Sequence, residues 1–340
     1  MKSMKKPLEA LLLAVPETAG SALYGIYDVL SATGNIWQTL VRSPEEGRVL
    51  IRPRIVAATG DSFHCGNGIP VEPELDIKTS IKADILILPE LWLGPDEDVE
   101  GRYPEIIDWI KQLHKKGTYI YSVCSGAILL AATGLLNGRD ATSHWAYADL
   151  FRQRYPDIHF KPEPNLCFAD PDGRVVTAGG ITSWHDLVIH IISRHCNPGE
   201  AMHIAKVYLL KWHGEGQLPY ATLVRRTMHA DAVIRNVENW LIEHFREKNC
   251  IAQVVEIFGV PERSLKRRFK AATGSSLIVY IQNLRVEEAK RQLEYGAVAV
   301  DDISAETGYE DPAFFRRLFK RTTGLTPSHY RRMFQPILNQ

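Results

Sequence analysis

Arg263-Ser-Leu-Lys-Arg-Arg-Phe-Lys-Ala-Ala-Thr-Gly274 and Ala313-Phe-Phe-Arg-Arg-Leu-Phe-Lys-Arg-Thr-Thr-Gly324 are one phrase written twice, fifty residues apart. At that offset Arg267 falls on Arg317, Phe269 on Phe319, Lys270 on Lys320, Thr273 on Thr323, Gly274 on Gly324 and Tyr280 on Tyr330. Such a self-match means that one structural unit is used twice. Each copy reads as a basic helix with a single apolar edge, preceded by a second short helical pattern, which is the layout of a helix-turn-helix.

Working outward from the first copy, Ile251-Ala-Gln-Val-Val-Glu-Ile-Phe258 has apolar residues at helical spacing, Gly259 supplies a turn, and Pro261 is placed to open the next helix. Leu265 and Phe269 then face a core, leaving Arg263, Lys266, Arg267 and Lys270 outward with Arg268 at the boundary. In the second copy Asp302-Ile-Ser-Ala-Glu-Thr307 forms the first helix, and Asp311-Pro312 gives an N-cap followed by proline at the first helical position. Phe315 and Phe319 are its buried edge, with Arg316, Arg317, Lys320 and Arg321 in solvent.

A basic helix face is often nothing more than a solvated face. Here the pattern is repeated, and no acid falls within Arg263 to Lys270 or Arg316 to Arg321. Arginine pairs bidentately with guanine in the major groove, and both Arg and Lys neutralise phosphates, so double-stranded DNA is the expected partner. The candidate DNA-facing residues are Arg263, Ser264, Lys266, Arg267 and Lys270, then Ala313, Arg316, Arg317, Lys320 and Arg321.

Residues 235 to 334 resemble the DNA-binding domain of the AraC/XylS family, most specifically through Gly308-Tyr-Glu-Asp-Pro-Ala-Phe-Phe-Arg-Arg-Leu-Phe-Lys-Arg-Thr-Thr-Gly-Leu-Thr-Pro-Ser-His-Tyr-Arg331. The resemblance implies two helix-turn-helix units joined by a long helix, with both recognition helices entering neighbouring major grooves. Gln282-Asn-Leu-Arg-Val-Glu-Glu-Ala-Lys-Arg-Gln-Leu-Glu294 has the length and apolar spacing for that helix. It also implies base-reading roles for Arg263, Lys266, Arg267, Ala313, Arg316 and Arg317. One departure is Pro261, which stands where the family usually has Ser or a similar cap.

The chain of 340 residues is too long for that domain alone. Its 45% hydrophobic and 24% charged residues are ordinary for a globular protein, and its formal net charge is zero, so attraction to nucleic acid must come from local patches. Five cysteines, at 65, 124, 167, 196 and 250, fit neither a disulfide framework nor a zinc pattern, and a reducing cytoplasm is the expected setting. The apolar run Ala10 to Val15 after Met1-Lys-Ser-Met-Lys-Lys6 has the look of a secretion signal, but Glu9 interrupts it and no clean cleavage site follows. No run of about eighteen apolar residues is present, so no membrane span is expected. The expected domains are 1–212, a linker at 213–231 that is rich in glycine and proline at its start, and 232–340.

Residues 1 to about 210 alternate apolar runs with helical patterns, the mark of an α/β fold. Strands are expected at Leu11 to Val15, Ile51 to Ala58, Ile85 to Leu88, Tyr119 to Val123 and Val175 to Thr177. Helices are expected at Ala22 to Leu30, Tyr103 to Lys115, Gly126 to Ala132 and Ser183 to Ser193. The fold is therefore read as a flavodoxin-like parallel-sheet sandwich followed by an all-α double helix-turn-helix domain, with a ligand site at the carboxyl ends of the strands.

Within it, Thr118-Tyr-Ile-Tyr-Ser-Val-Cys124-Ser-Gly-Ala-Ile-Leu129 runs an apolar strand into a cysteine and straight on into a helix. The thiol then sits on a tight turn at a helix amino terminus, as in a nucleophile elbow, although Ser122 occupies the place of that motif's first glycine. The stretch resembles the DJ-1/PfpI superfamily (class I glutamine amidotransferase-like), and within it the GlxA-type regulators, where such a domain precedes an AraC-type tail. Val123-Cys-Ser-Gly-Ala127, Ala132-Thr-Gly-Leu-Leu-Asn-Gly-Arg-Asp-Ala-Thr-Ser-His-Trp145 and Thr177-Ala-Gly-Gly-Ile-Thr-Ser-Trp-His-Asp186 carry that resemblance.

Catalytic relatives pair the elbow cysteine with a nearby acid and often a following histidine. Here Ser125 follows Cys124 and Ala22 stands where the acid belongs, with Glu17 five residues earlier as a substitute. A ligand pocket at Cys124, Ser125, His144 and Trp145 is the expected use of the site, with no catalytic residue, metal or cofactor. The leading expectation is a cytoplasmic transcriptional regulator, an activator that meets RNA polymerase, homodimeric, with a small-molecule effector. A cysteine-dependent amidase or glyoxalase-like enzyme with an appended DNA-binding tail is the alternative. A redox sensor at Cys124 ranks below both, since no resolving cysteine lies near it in the sequence.

Overall fold

The computed structural model describes residues 6–42, 47–94, 97–222, 229 and 231–338, and it divides into two compact units, Met1–Gln217 and Leu218–Gln340. The first is built on a seven-stranded sheet. Its strands are β1 (Leu8–Leu13), β2 (Ile51–Ala57), β3 (Leu75–Asp76), β4 (Ile85–Leu88), β5 (Tyr119–Val123), β6 (Leu166–Phe168) and β7 (Val175–Ala178), in the order β6-β7-β5-β4-β1-β2-β3. All neighbours are parallel except β6, which runs antiparallel to β7.

Alternate residues of the inner strands feed two separate cores, as the pleat requires. Leu11, Leu13, Leu86 and Leu88 face one layer, while Ala10, Leu12, Ile85 and Ile87 face the other. Pro53 lies in β2, which pairs with β3 only at Val56 and Ala57, so its missing N–H falls on an open stretch of that strand. Helices α1 (Gly20–Ser31), α2 (Pro104–Lys115), α3 (Gly126–Ala132), α4 (Trp184–His195) and α5 (Pro198–Tyr208) cover the sheet. The apolar run at Ala10 to Val15 is thus largely strand β1, fully buried.

The second unit is all helical: α6 (Ala232–His244), α7 (Cys250–Phe258), α8 (Glu262–Thr273), α9 (Leu277–Tyr295), α10 (Val300–Glu306), α11 (Pro312–Thr323) and α12 (Pro327–Leu338). Helix α9 has 19 residues, about 28 Å at 1.5 Å per residue, and serves two cores in turn. Leu277, Tyr280, Ile281 and Leu284 pack with α6, α7 and α8, whereas Val286, Ala289 and Leu293 pack with the second helix-turn-helix.

The expected linker at 213–231 is shorter than its composition indicated. Gln217 is buried in the first unit, and His213 N–H donates to Asp186, so 213–217 belong to that unit. Residues 223–228 and 230 of that stretch lie outside the described residues. Pro261 also takes a different place: it is the N-cap of α8, which begins at Glu262. Its fixed φ suits the cap, but it has no side-chain acceptor there.

Candidate functional site

The sequence repeat is a repeat of contacts. Phe269 meets Tyr280 edge to face at 5.1 Å between ring centroids, and Phe319 meets Tyr330 in the same way at 5.5 Å. Thr273 Oγ1 donates to Phe269 O at 2.8 Å and Thr323 Oγ1 to Phe319 O at 2.8 Å. Gly274 and Gly324 end both helices in the left-handed conformation. Leu265, Phe269, Phe315 and Phe319 are wholly buried, so the opposite face of each helix is free by geometry.

On that face Arg263, Lys266, Arg267 and Lys270 are exposed and Ser264 is half-buried; in the second unit Ala313, Arg316, Arg317, Lys320 and Arg321 are all exposed. Their charges are not equally available. Lys266 pairs with Glu262, which immediately precedes the first acid-free run, and Arg316 with Asp301 on helix α10. Arg317 Nη2 is 3.9 Å from Asp311. Among the described residues, Arg263, Arg267, Lys270 and Lys320 make no ion pair. Arg268 is structural: its guanidinium donates bidentately to Asp231 at 2.9 and 2.7 Å, and Asp231 also caps α6.

In the first unit Cys124 sits between β5 and α3 at φ +51°, a left-handed conformation that costs a non-glycine residue about 1–2 kcal/mol. The elbow is therefore present without its first glycine. Cys124 N–H donates to Ala178 O at 2.9 Å, and Ser143 Oγ donates to Cys124 O at 2.6 Å, tying the turn to β7 and to the loop before Trp145. The thiol faces the backbone N–H groups of Ser125 and His144 and the Ser125 hydroxyl. Ser125 Oγ also accepts from Leu91 N–H at 2.8 Å.

The acid beside the thiol is Glu90, at the carboxyl end of β4, which the sequence reading missed. It is 4% exposed, Oε2 has no hydrogen-bond partner among the described residues, and burial raises its carboxyl to about 7. Glu17 plays no such part: its carboxylate is held by Arg102 and by the Tyr103 hydroxyl. A lone acid two residues past the apolar run Ile85 to Leu88 was the available signal.

Burial pushes the Cys124 thiol up to about 12, with the Glu90 charge adding to the effect, so the N–H groups around it do not produce a thiolate. Burial lowers the pKa of His144, and its Nδ1 accepts from Ala146 N–H at 3.1 Å, so a ring proton belongs on Nε2. Its ring lies 4.9 Å from that of Trp145. Tyr147, also beside Cys124 and Ser125, donates to Leu93 O at 2.9 Å. The structure thus brings Ser125, the His144 backbone, Glu90 and Tyr147 around Cys124, with Trp145 against the His144 ring. All five cysteines are free, and among the described residues no His, Cys, Asp and Glu cluster could hold a metal.

Two family models match the chain: the DJ-1/PfpI family over residues 36–194 and a helix-turn-helix domain over residues 254–333. The chain is similar to the HTH-type transcriptional regulator CdhR of Pseudomonas aeruginosa, 24% identical over 286 residues, 83% of this chain and 82% of that protein. It is similar to the HTH-type transcriptional regulator GlxA of Rhizobium meliloti, 27% identical over 228 residues, 66% of this chain and 68% of that protein. It is also similar to the isonitrile hydratase of Pseudomonas putida, 28% identical over 183 residues, 54% of this chain and 69% of that enzyme.

Proposed function

We propose that the chain, in which a DJ-1/PfpI match precedes a helix-turn-helix match of AraC type, is a sequence-specific DNA-binding regulator of transcription whose first domain senses a small molecule without catalysis. The observation that carries this reading is the pair of matching recognition helices, each burying its apolar edge and presenting unpaired cations, on opposite halves of one shared helix. Arg263, Ser264, Lys266, Arg267, Lys270, Ala313, Arg316, Arg317, Lys320 and Arg321 form the DNA-facing set. Anisotropy titration of a selected duplex with wild type and with the Arg267→Ala, Arg317→Ala double variant tests it. Unchanged affinity and sequence preference in the variant contradict it.

In this reading the small molecule binds at Cys124, Ser125, His144 and Trp145, with the buried Glu90 beside the thiol. A homodimer would let two chains grip a repeated site. No helix among the described residues is long and apolar enough to cross a membrane. The five free thiols support a reducing cytoplasm as the location.

A second reading, a cysteine-dependent enzyme, has the strained elbow, the adjacent Glu90 and the similarity to isonitrile hydratase in its favour. Nucleophilic catalysis needs the thiolate, and a buried thiol pushed up to about 12 supplies almost none at neutral pH. Turnover that Cys124→Ser abolished would favour this second reading.

A further inference from the structure

Gln217 is the last residue of the first unit, and its side chain is fully engaged in the wall of the Cys124 site. Its Nε2 donates to Ser143 O at 2.9 Å, Pro164 O at 3.1 Å and Thr142 Oγ1 at 3.2 Å, while its Oε1 accepts from Trp145 N–H at 3.2 Å. Its own N–H donates to Glu163 O at 2.8 Å, and the residue is 3% exposed. The fit depends on Gly179, where a Cβ would come within 2.3 Å of the amide nitrogen.

The loop that Gln217 grips, 142–145, is the loop that holds the elbow: Ser143 bonds the Cys124 carbonyl, and the His144 N–H faces the thiol. The next residue, Leu218, begins the second unit, and by Ala221 the chain is bonded to Lys290 on the linking helix α9. Lys290 is itself buried against Tyr330 of the second helix-turn-helix. Only Leu218, Pro219 and Tyr220 separate these two anchors.

We infer that Gln217 is a latch through which the state of the Cys124 pocket is coupled to DNA binding. The inference rests on the regulator reading above. Four directed hydrogen bonds in a buried site have two discrete arrangements, made or broken, because a buried amide left unsatisfied is costly. A molecule that displaces loop 142–145 must break the Gln217 bonds to Thr142, Ser143 and Trp145, leaving residues 213–217 held to the first unit by Asp186, Asn165, Glu163 and Pro164 alone.

Coupling is reciprocal, so DNA bound to the second unit must shift the latch in the first even when the effector is unidentified. The test is hydrogen exchange of the full chain, free and saturated with a duplex recovered by selection. The expected result is a change of about fivefold or more in exchange at the Trp145 and Gln217 amides, the lower end of ordinary coupling. Gln217→Ala is expected to abolish that response at Trp145 while still binding the duplex. Identical exchange at 142–145 and 213–217 in the free and DNA-bound wild type overturns the latch, and this comparison needs no variant to fold. A chain that binds no duplex overturns the regulator reading instead.

Discussion

The guanidinium of Arg285 donates to the carbonyl of Gly308 at 2.9 Å, across the seam between the two helix-turn-helix units. The same side chain donates to Phe245 O at 2.7 Å and Glu247 O at 2.9 Å and lies 4.9 Å from the centre of the Tyr309 ring. One residue of the shared helix thus ties the end of α6 to the turn of the second repeat. It thereby links the two helix-turn-helix units to each other.

Arg285→Ala is expected to cost roughly 1.5–3 kcal/mol of stability, the range for hydrogen bonds from a charged group. Its distinctive effect is on binding: affinity for a two-block site should fall while affinity for a single block is little changed. Gly308→Ala should act in the same direction, because its φ is +88° and a Cβ would lie 2.5 Å from Arg246 O and 3.0 Å from Arg285. Thermal melts with anisotropy on one-block and two-block duplexes check both.

Glu262→Gln and Asp301→Asn should each tighten DNA binding, since they release Lys266 and Arg316 from exposed intramolecular pairs. Exposed pairs of this kind are worth about 0.2–1 kcal/mol, so gains of a few-fold are expected, largest at low salt. The slope of log affinity against log salt should also steepen in both variants. Weaker binding would show that these acids position the cations rather than sequester them.

Glu90 sets a pH dependence of folding. Burial raises its carboxyl from the ordinary 4.5 to about 7, so the folded state holds a proton that the unfolded chain releases. The stability this contributes is complete below about pH 4.5 and is lost as pH rises through 7, on the order of 3 kcal/mol in all. Glu90→Gln removes the ionisation, and its stability relative to wild type should improve progressively from pH 5 to pH 8.5 in urea melts. A difference between the two proteins that is flat across that range would contradict this account.

Alkylation of Cys124 by iodoacetamide should be slow at pH 8 and still rising at pH 10, as follows from a thiol that burial pushes up to about 12. Glu90→Gln removes a neighbouring negative charge and should speed the reaction at pH 9. Peptide mapping separates Cys124 from the other four cysteines. A plateau near pH 7 would restore the nucleophile reading.

Most of the architecture was legible because it depends on local pattern. Ile85 to Leu88 and Tyr119 to Val123 are buried on both faces, and such strands show in sequence as short apolar runs. Strands β3 and β6 have two and three residues, too few for any period to register. Helix α5 carried its signal in Asn197-Pro198, a cap followed by proline, yet its mixed face offered no clear stripe.

The site was legible in part. Cys124, Ser125 and His144 stand in recognisable strings, whereas Glu90 and Gln217 matter only because the fold buries them, one just past an apolar run and the other in a stretch whose composition reads as linker. The ion pairs of Lys266 and Arg316 were equally hidden, since Glu262 sits just outside the first acid-free run and Asp301 comes from the neighbouring helix α10.

The most direct test of the central claim is selection of bound sequences from a random duplex pool by the full chain. The account predicts enrichment of a motif with two major-groove blocks about one helical turn, 10–10.5 base pairs, apart. Recovery of sequences indistinguishable from the starting pool would contradict it.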